Sequence, residues 1–275
     1  MAYAELNGIR LYYQAHGQGE ALVLIPGIGA DHTAWVPQVL AFRKRYRVVI
    51  FDPRGIGRTS RPGGPYPFRV LADDVAGLLD HLGIERANVL GQSLGGVVAQ
   101  GVAIDYPGRV HRLVLVSTLA LGDAEGFDPA LAAILGAADG AASSDLSAVD
   151  TRKTMNALIA LSFKRWPYRT AMQLLSRLFL RREMFDGLSD QAAASAGHTT
   201  IDRLHLIQAP TLVVTGTADR IIRPQASERL AAGIPGAKLV MVRDGSHAFN
   251  VEMASRFNRE VLDFLQAGET GRSGR

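Results

Sequence analysis

The stretch of this 275-residue chain most suited to chemistry is Gly91-Gln92-Ser93-Leu94-Gly95. A serine flanked by glycines two positions away on each side can serve as a nucleophile if the chain turns there from a strand straight into a helix. Such a turn leaves no room for side chains at 91 and 95, so glycine is required at both. It also lifts the hydroxyl to the end of the sheet and puts it at a helix N-terminus, where backbone N–H groups and the helix dipole favour developing negative charge. The pattern alone is weak in a chain with 29 glycines. Its context makes it specific: the apolar run 87–90 precedes it and a helical pattern over 94–104 follows it.

A serine hydroxyl needs a neighbouring base to take its proton. Of the seven histidines, His16 and His32 flank early loops and His81 ends a helical pattern. His111 begins a strand, and His198 and His205 border a long helical segment. His247 lies in Asp244-Gly245-Ser246-His247, just after the apolar run 238–242. That places it at the carboxyl end of a strand, the edge where open α/β sheets build their sites. Two aspartates could orient this histidine. Asp219 ends Thr215-Gly216-Thr217-Ala218-Asp219 after the run 211–214, and Asp123 follows the run 113–116.

Those positions depend on the elements around them. Alternating residues at 3–6 and 9–15 flank Asn7-Gly8, a hairpin signal. The runs 21–25, 47–51, 87–90, 113–116, 211–214 and 238–242 are apolar on both faces, as in strands of a buried parallel sheet. Helical spacing over 70–82, 225–234 and 254–265 separates them, which predicts an α/β fold with a mostly parallel sheet and helices on both faces. The region 122–203 breaks the alternation, with helical periods at 129–135, 151–163 and 168–181 and a Gly/Ala/Ser-rich joint at 136–147. It reads as a helical cap inserted into a core made of 1–121 and 204–275, while the polar tail 268–275 reads as disordered.

Composition excludes several classes. There is no cysteine, hence no disulfide, thiolate nucleophile or Cys-ligated zinc. No metal or nucleotide motif is present, so no cofactor is expected. Arg43-Lys44-Arg45 and Arg181-Arg182 lack an aromatic platform and read as solvated helix ends, not as a nucleic-acid surface. No apolar run reaches the length of a membrane span, and Met1-Ala2-Tyr3-Ala4-Glu5 has no leader-like pattern. A soluble, cytoplasmic protein acting on a small molecule is the expectation, with the oligomeric state, a homodimer included, left open.

Taken together, Leu24-Ile25-Pro26-Gly27-Ile28-Gly29, Phe51-Asp52-Pro53-Arg54-Gly55-Ile56-Gly57-Arg58-Thr59-Ser60, the serine motif, Gly216–Asp219 and Gly245-Ser246-His247 resemble the α/β-hydrolase superfamily in order and spacing. Within it the chain is most similar to small bacterial esterases and 3-oxoadipate enol-lactonase-like proteins. The resemblance implies the order nucleophile, acid, base along the chain, and so favours Asp219 over Asp123. It implies an oxyanion hole from the backbone N–H groups of Ile28 and Leu94, although Pro26-Gly27 stands where many relatives carry His-Gly. Asp52-Pro53-Arg54-Gly55 is read as a structural turn. Trp35, Phe163, Trp166 and Phe249 either line an apolar pocket or serve as plain core packing, and the insertion, with Leu158, Phe163 and Trp166, is expected to select the substrate without affecting the chemistry.

The expected activity is cleavage of a carboxylic ester through an acyl-enzyme, or of a cyclic ester by the same route. Serine at the turn argues against the dehalogenases and epoxide hydrolases of this superfamily, which use aspartate there. Carbon–carbon bond hydrolysis is an alternative, but relatives with that chemistry carry a longer Gly/Pro-rich loop and often Trp after the histidine, where this chain has Ala248. A ligand-sensing protein with a slow triad is the third reading.

Overall fold

Asn7 and Gly8 both adopt positive φ, 46° and 74°, the conformation a two-residue hairpin turn demands. They join β1 (Ala2–Leu6) to β2 (Ile9–His16) in antiparallel register, with Leu6 opposite Ile9. The structure is a computed structural model describing residues 2–64, 66–123, 125–129, 131, 151–179, 182–195 and 197–267.

Six further strands complete one sheet: β3 (Ala21–Ile25), β4 (Arg47–Phe51), β5 (Ala87–Gln92), β6 (Val110–Val116), β7 (Thr211–Gly216) and β8 (Lys238–Val242). Their order is β1-β2-β4-β3-β5-β6-β7-β8, parallel from β4 onward. The direction of winding reverses between β3 and β5, which pair with Ile25 opposite Gly91. Loops leaving the carboxyl ends of strands at such a point diverge and leave a crevice. The loop with Ile28 and the turn with Ser93 are therefore neighbours in space.

Helices cover both faces. On one, α2 (Arg69–His81) and α3 (Leu94–Asp105) bury Leu71, Val75, Leu78, Val98 and Val102 against Val23, Val89 and Leu115. On the other, α1 (Val36–Phe42) and the last helix bury Phe42, Phe257 and Val261 against Leu24, Ile50 and Val214. Because both faces are covered there, the central strands β3 to β7 are largely apolar and buried rather than alternating, unlike the hairpin strands β1 and β2. The seven-residue α1 is too short to show a helical period.

Between β6 and β7 the chain forms α4 (Thr151–Ser162), α5 (Trp166–Phe179) and α6 (Arg182–Ser195). The first two match helical periods in the sequence. The third does not, since its last turns are Gln-Ala-Ala-Ala-Ser, too small to mark a face. Most of the helical period expected at 129–135, the expected joint at 136–147 and the tail 268–275 lie outside the described residues. After β7 come α7 (Pro224–Gly233), β8, the single turn α8 (Phe249–Glu252) and α9 (Ala254–Gln266). Among the described residues no helix is long and apolar enough to cross a membrane.

Candidate active site

Ser93 is a non-glycine residue with φ 53° and ψ −123°. Backbone in such a region costs on the order of 1–3 kcal/mol and persists only where its surroundings enforce it. Here they do. The Ser93 N–H donates to the Val116 carbonyl at 2.9 Å, and the Ser93 carbonyl accepts from Thr118 Oγ1 at 2.7 Å and from the Gly96 N–H at 2.9 Å. A Cβ on Gly91 would lie 2.1 Å from the Gly95 carbonyl oxygen, and one on Gly95 would lie 2.3 Å from the Ile25 carbonyl oxygen. The glycines read from the motif are thus required by backbone crowding on both sides of the serine.

His247 sits on the loop between β8 and α8, with its side chain nearly buried. Its Nδ1 lies 2.9 Å from Asp219 Oδ2. The other oxygen of Asp219 accepts the N–H groups of Ile221 and Ile222, at 2.8 and 3.0 Å. That clamp fixes the carboxylate and leaves Oδ2 for the imidazole. The 219–223 loop is itself stitched to the chain after β6: Asp128 N–H donates to the Ile221 carbonyl and Arg223 N–H to the Gly126 carbonyl, both at 2.9 Å. Gln92 Nε2, beside Ser93, donates to the His247 carbonyl at 3.2 Å. The histidine loop therefore docks directly on the serine turn. The rival Asp123 is held elsewhere, with both carboxylate oxygens taken by the Arg229 guanidinium at 2.9–3.0 Å.

The loop after β3 runs past Ser93, so that a Cβ on Gly27 would meet Ser93 Cβ at 3.4 Å. Among the described residues, neither the Ile28 nor the Leu94 N–H donates a hydrogen bond within the chain. Both stay available, Leu94 at the first position of α3. The next amide, that of Gly29, is occupied: it donates to Gln191 Oε1 of α6 at 3.0 Å. The buried Gln191 also borders a small cavity behind the serine turn with Pro26, Arg54, Asp74, Leu94 and Gly95. Sequence reasoning missed this residue, whose burial depends on a helix with no visible apolar face.

Asp52 and Arg54 belong to two separate buried networks, as a structural turn requires. Asp52 accepts the His32 N–H at 2.9 Å and the Arg58 N–H at 2.8 Å, and lies 2.5 Å from His32 Nδ1. Arg54 grips Asp74 through Nε and Nη2, at 2.9 and 2.6 Å. Burial raises the Asp74 carboxyl above the usual range against the opposing pull of Arg54. Burial, with the charge of Asp190 added, pushes the nearby Tyr66 phenol up to about 12. Asp31, His32 and Asp52 bring possible metal-ligating atoms together. Those of Asp52 and Asp31 are engaged in hydrogen bonds, to His32 and Arg58 and to Thr33 respectively, so the cluster is a loop brace.

The aromatic residues left open between pocket and core fall in different places. Trp35 and Phe249 are fully buried in the core beneath the sheet, Phe249 edge-on to Phe257. Both are packing residues, because their size and apolarity serve the α1–α9 layer. Trp166 is 70% exposed at the start of α5. Phe163 does lie beside the site, packed with Ile159 against Ala248, the residue after the histidine.

A family model described as alpha/beta hydrolase fold matches residues 20–254. The chain belongs to the α/β-hydrolase family. Similar members include RutD of Variovorax paradoxus, provisionally named a carbamate hydrolase, 32% identical over 93% of this chain and 96% of its own. A poly(3-hydroxyalkanoate) depolymerase of Ectopseudomonas oleovorans is 34% identical over 89% of this chain and 84% of its own. The crystal structure of the enol-lactonase from Burkholderia xenovorans LB400 aligns with a TM-score of 0.83 at 29% identity, covering 96% of this α/β-hydrolase and 100% of that chain.

Proposed function

We propose that this α/β-hydrolase cleaves a carboxylic ester, open-chain or cyclic, through a covalent acyl-enzyme. The observation that carries the reading is the convergence of three strand-end loops: a strained Ser93 turn, the His247 loop docked on it through Gln92, and Asp219 2.9 Å from His247 Nδ1. In this reading Ser93 Oγ attacks the ester carbonyl while His247 Nε2 takes its proton. Asp219 holds the Nδ1–H tautomer and stabilises the imidazolium that forms, without taking the proton. The Leu94 and Ile28 N–H groups stabilise the oxyanion, a contribution of roughly 3–4 kcal/mol per donor in comparable sites. His247 then returns the proton to the leaving alkoxide, and water, activated by the same histidine, clears the acyl group.

The helices between β6 and β7 act in this account as a cap over the site. Phe163, not Trp166, is the aromatic residue next to the reacting groups. Two similar proteins whose names specify a polyester depolymerase and an enol-lactonase support an oxygen-ester substrate. The test is kcat/KM on p-nitrophenyl esters of graded length together with a lactone panel, for wild type and Ser93→Ala. The expected result is turnover by wild type and a loss of about 10⁴-fold or more in the variant. Equal rates for the two proteins on every ester and lactone would sink the assignment.

A further inference from the structure

The loop bearing His247 is held from two directions, and one of them is the inserted segment. The Ala248 N–H donates to the Ser162 carbonyl at the end of α4, at 3.0 Å. Lys164 Nζ reaches Asp244 Oδ1 at 2.8 Å, a contact that holds the Asp244 carboxyl below its usual range. Between these anchors lies Glu252, the last residue of α8, almost wholly buried. Its Oε1 accepts the Arg165 N–H at 2.6 Å, and its Oε2 accepts the Ser246 hydroxyl and, more weakly, the Lys164 N–H at 3.4 Å. Arg165 Nη1 donates to the Glu252 carbonyl at 3.0 Å.

A buried carboxylate is tolerated only when its oxygens are hydrogen-bonded and its charge is matched. Glu252 meets the first condition with groups from two places, its oxygens accepting from the Ser246 hydroxyl and from the Lys164 and Arg165 amides. Ser246 directly precedes His247, while Lys164 and Arg165 form the turn between α4 and α5. One carboxylate thereby joins the residue next to the base to the inserted helices. Asp219 orients the imidazole through its ring. Glu252 acts on the backbone that carries it.

Building on the triad assignment above, we propose that Glu252 is a positioning residue that sets His247 against Ser93 through Ser246 and couples that setting to the 162–165 turn of the insertion. The insertion then contributes to the chemical step as well as to substrate choice. Displacements near 1 Å in a catalytic group can cost about 100-fold in rate, so a link one residue from the base is close enough to matter.

The experiment uses the full chain with Glu252→Ala, Glu252→Gln and Ser246→Ala. Active sites are counted by titration with a p-nitrophenyl alkylphosphonate, and kcat and KM are measured on p-nitrophenyl acetate per titrated site. Glu252→Ala and Ser246→Ala are expected to lose about 10- to 100-fold in kcat with KM within about threefold. Glu252→Gln should recover most of the loss, because its amide can accept from the Arg165 N–H and donate to Ser246 Oγ. If Glu252→Ala does not fold, Ser246→Ala decides, since it leaves the carboxylate bonded to both backbone amides. A kcat per titrated site within about threefold of wild type in Ser246→Ala, or a glutamine variant no better than alanine, overturns the positioning role. Wild type that takes up no phosphonate defeats the triad assignment itself, a result distinguishable from unchanged variants of a titratable enzyme.

Discussion

Asp219 divides its carboxylate between two duties: Oδ1 is clamped by the amides of Ile221 and Ile222, and Oδ2 faces His247 Nδ1 at 2.9 Å. The clamp is local, made within three residues, so the acid's direction is set by its own loop. Asp219→Asn should therefore fold and keep its position while presenting the wrong hydrogen-bonding group to the imidazole. The expected loss is about 10⁴-fold in kcat, read on p-nitrophenyl acetate. Asp123→Asn should leave kcat within about threefold and lower Tm instead, because Asp123 holds Arg229. A reversal of the two phenotypes would move the acid to the end of β6.

The glycines of the serine turn are predicted to be irreplaceable even by alanine. A methyl group on Gly95 would overlap the carbonyl oxygens of Ile25 and Pro26, which are backbone atoms of β3 and the loop that follows it. Overpacking usually costs about 1–3 kcal/mol, and here there is no flexible side chain to yield. Gly95→Ala should be insoluble or lose Tm sharply in a thermal melt, whereas Gly108→Ala, with open space around it, should melt like wild type.

Gln191 offers a test of the oxyanion loop. Its side-chain oxygen holds the Gly29 amide, one residue beyond the amide proposed as a donor. Gln191→Met keeps the volume and removes the acceptor. About a tenfold fall in kcat is expected, smaller than the 10²–10³ of deleting a donor outright, with KM little changed. A chain-length-dependent KM effect with normal kcat would assign Gln191 to substrate contact.

Phe163 and Trp166 separate pocket from surface. Phe163→Ala should shift the preferred acyl length, by about 1–3 kcal/mol at most for each lost contact, because Phe163 packs on Ala248 next to His247. Trp166→Ala should leave the kcat/KM profile within about twofold, since its ring faces solvent. The chain-length profile of both variants checks the pair.

The eight strands were legible because a parallel sheet covered on both faces demands uninterrupted apolar runs, and Asn7-Gly8 marks its own turn. Ser93, Asp219 and His247 were legible for the same reason: each follows such a run, and strand ends converge on one edge. Trp35 and Phe249 stay open between two readings in the sequence because an aromatic residue serves a core and a pocket equally well. Only the layer in which it falls decides, and that is a tertiary property. Gln191 and Glu252 carry no sequence mark. A buried polar residue resembles an exposed one until its partner, 162 residues away for Gln191 and 87 for Glu252, is brought beside it.

Acyl transfer by this site requires that Ser93 form a covalent bond to the acyl group. The most direct measurement is intact-mass analysis followed by peptide mapping after incubation with a p-nitrophenyl alkylphosphonate. One adduct per chain is predicted, on the peptide containing Ser93, with release of p-nitrophenol and loss of esterase activity in step, and none in Ser93→Ala. An adduct on any other residue that accompanies inactivation, or an active enzyme that the phosphonate leaves unlabelled, would contradict the account.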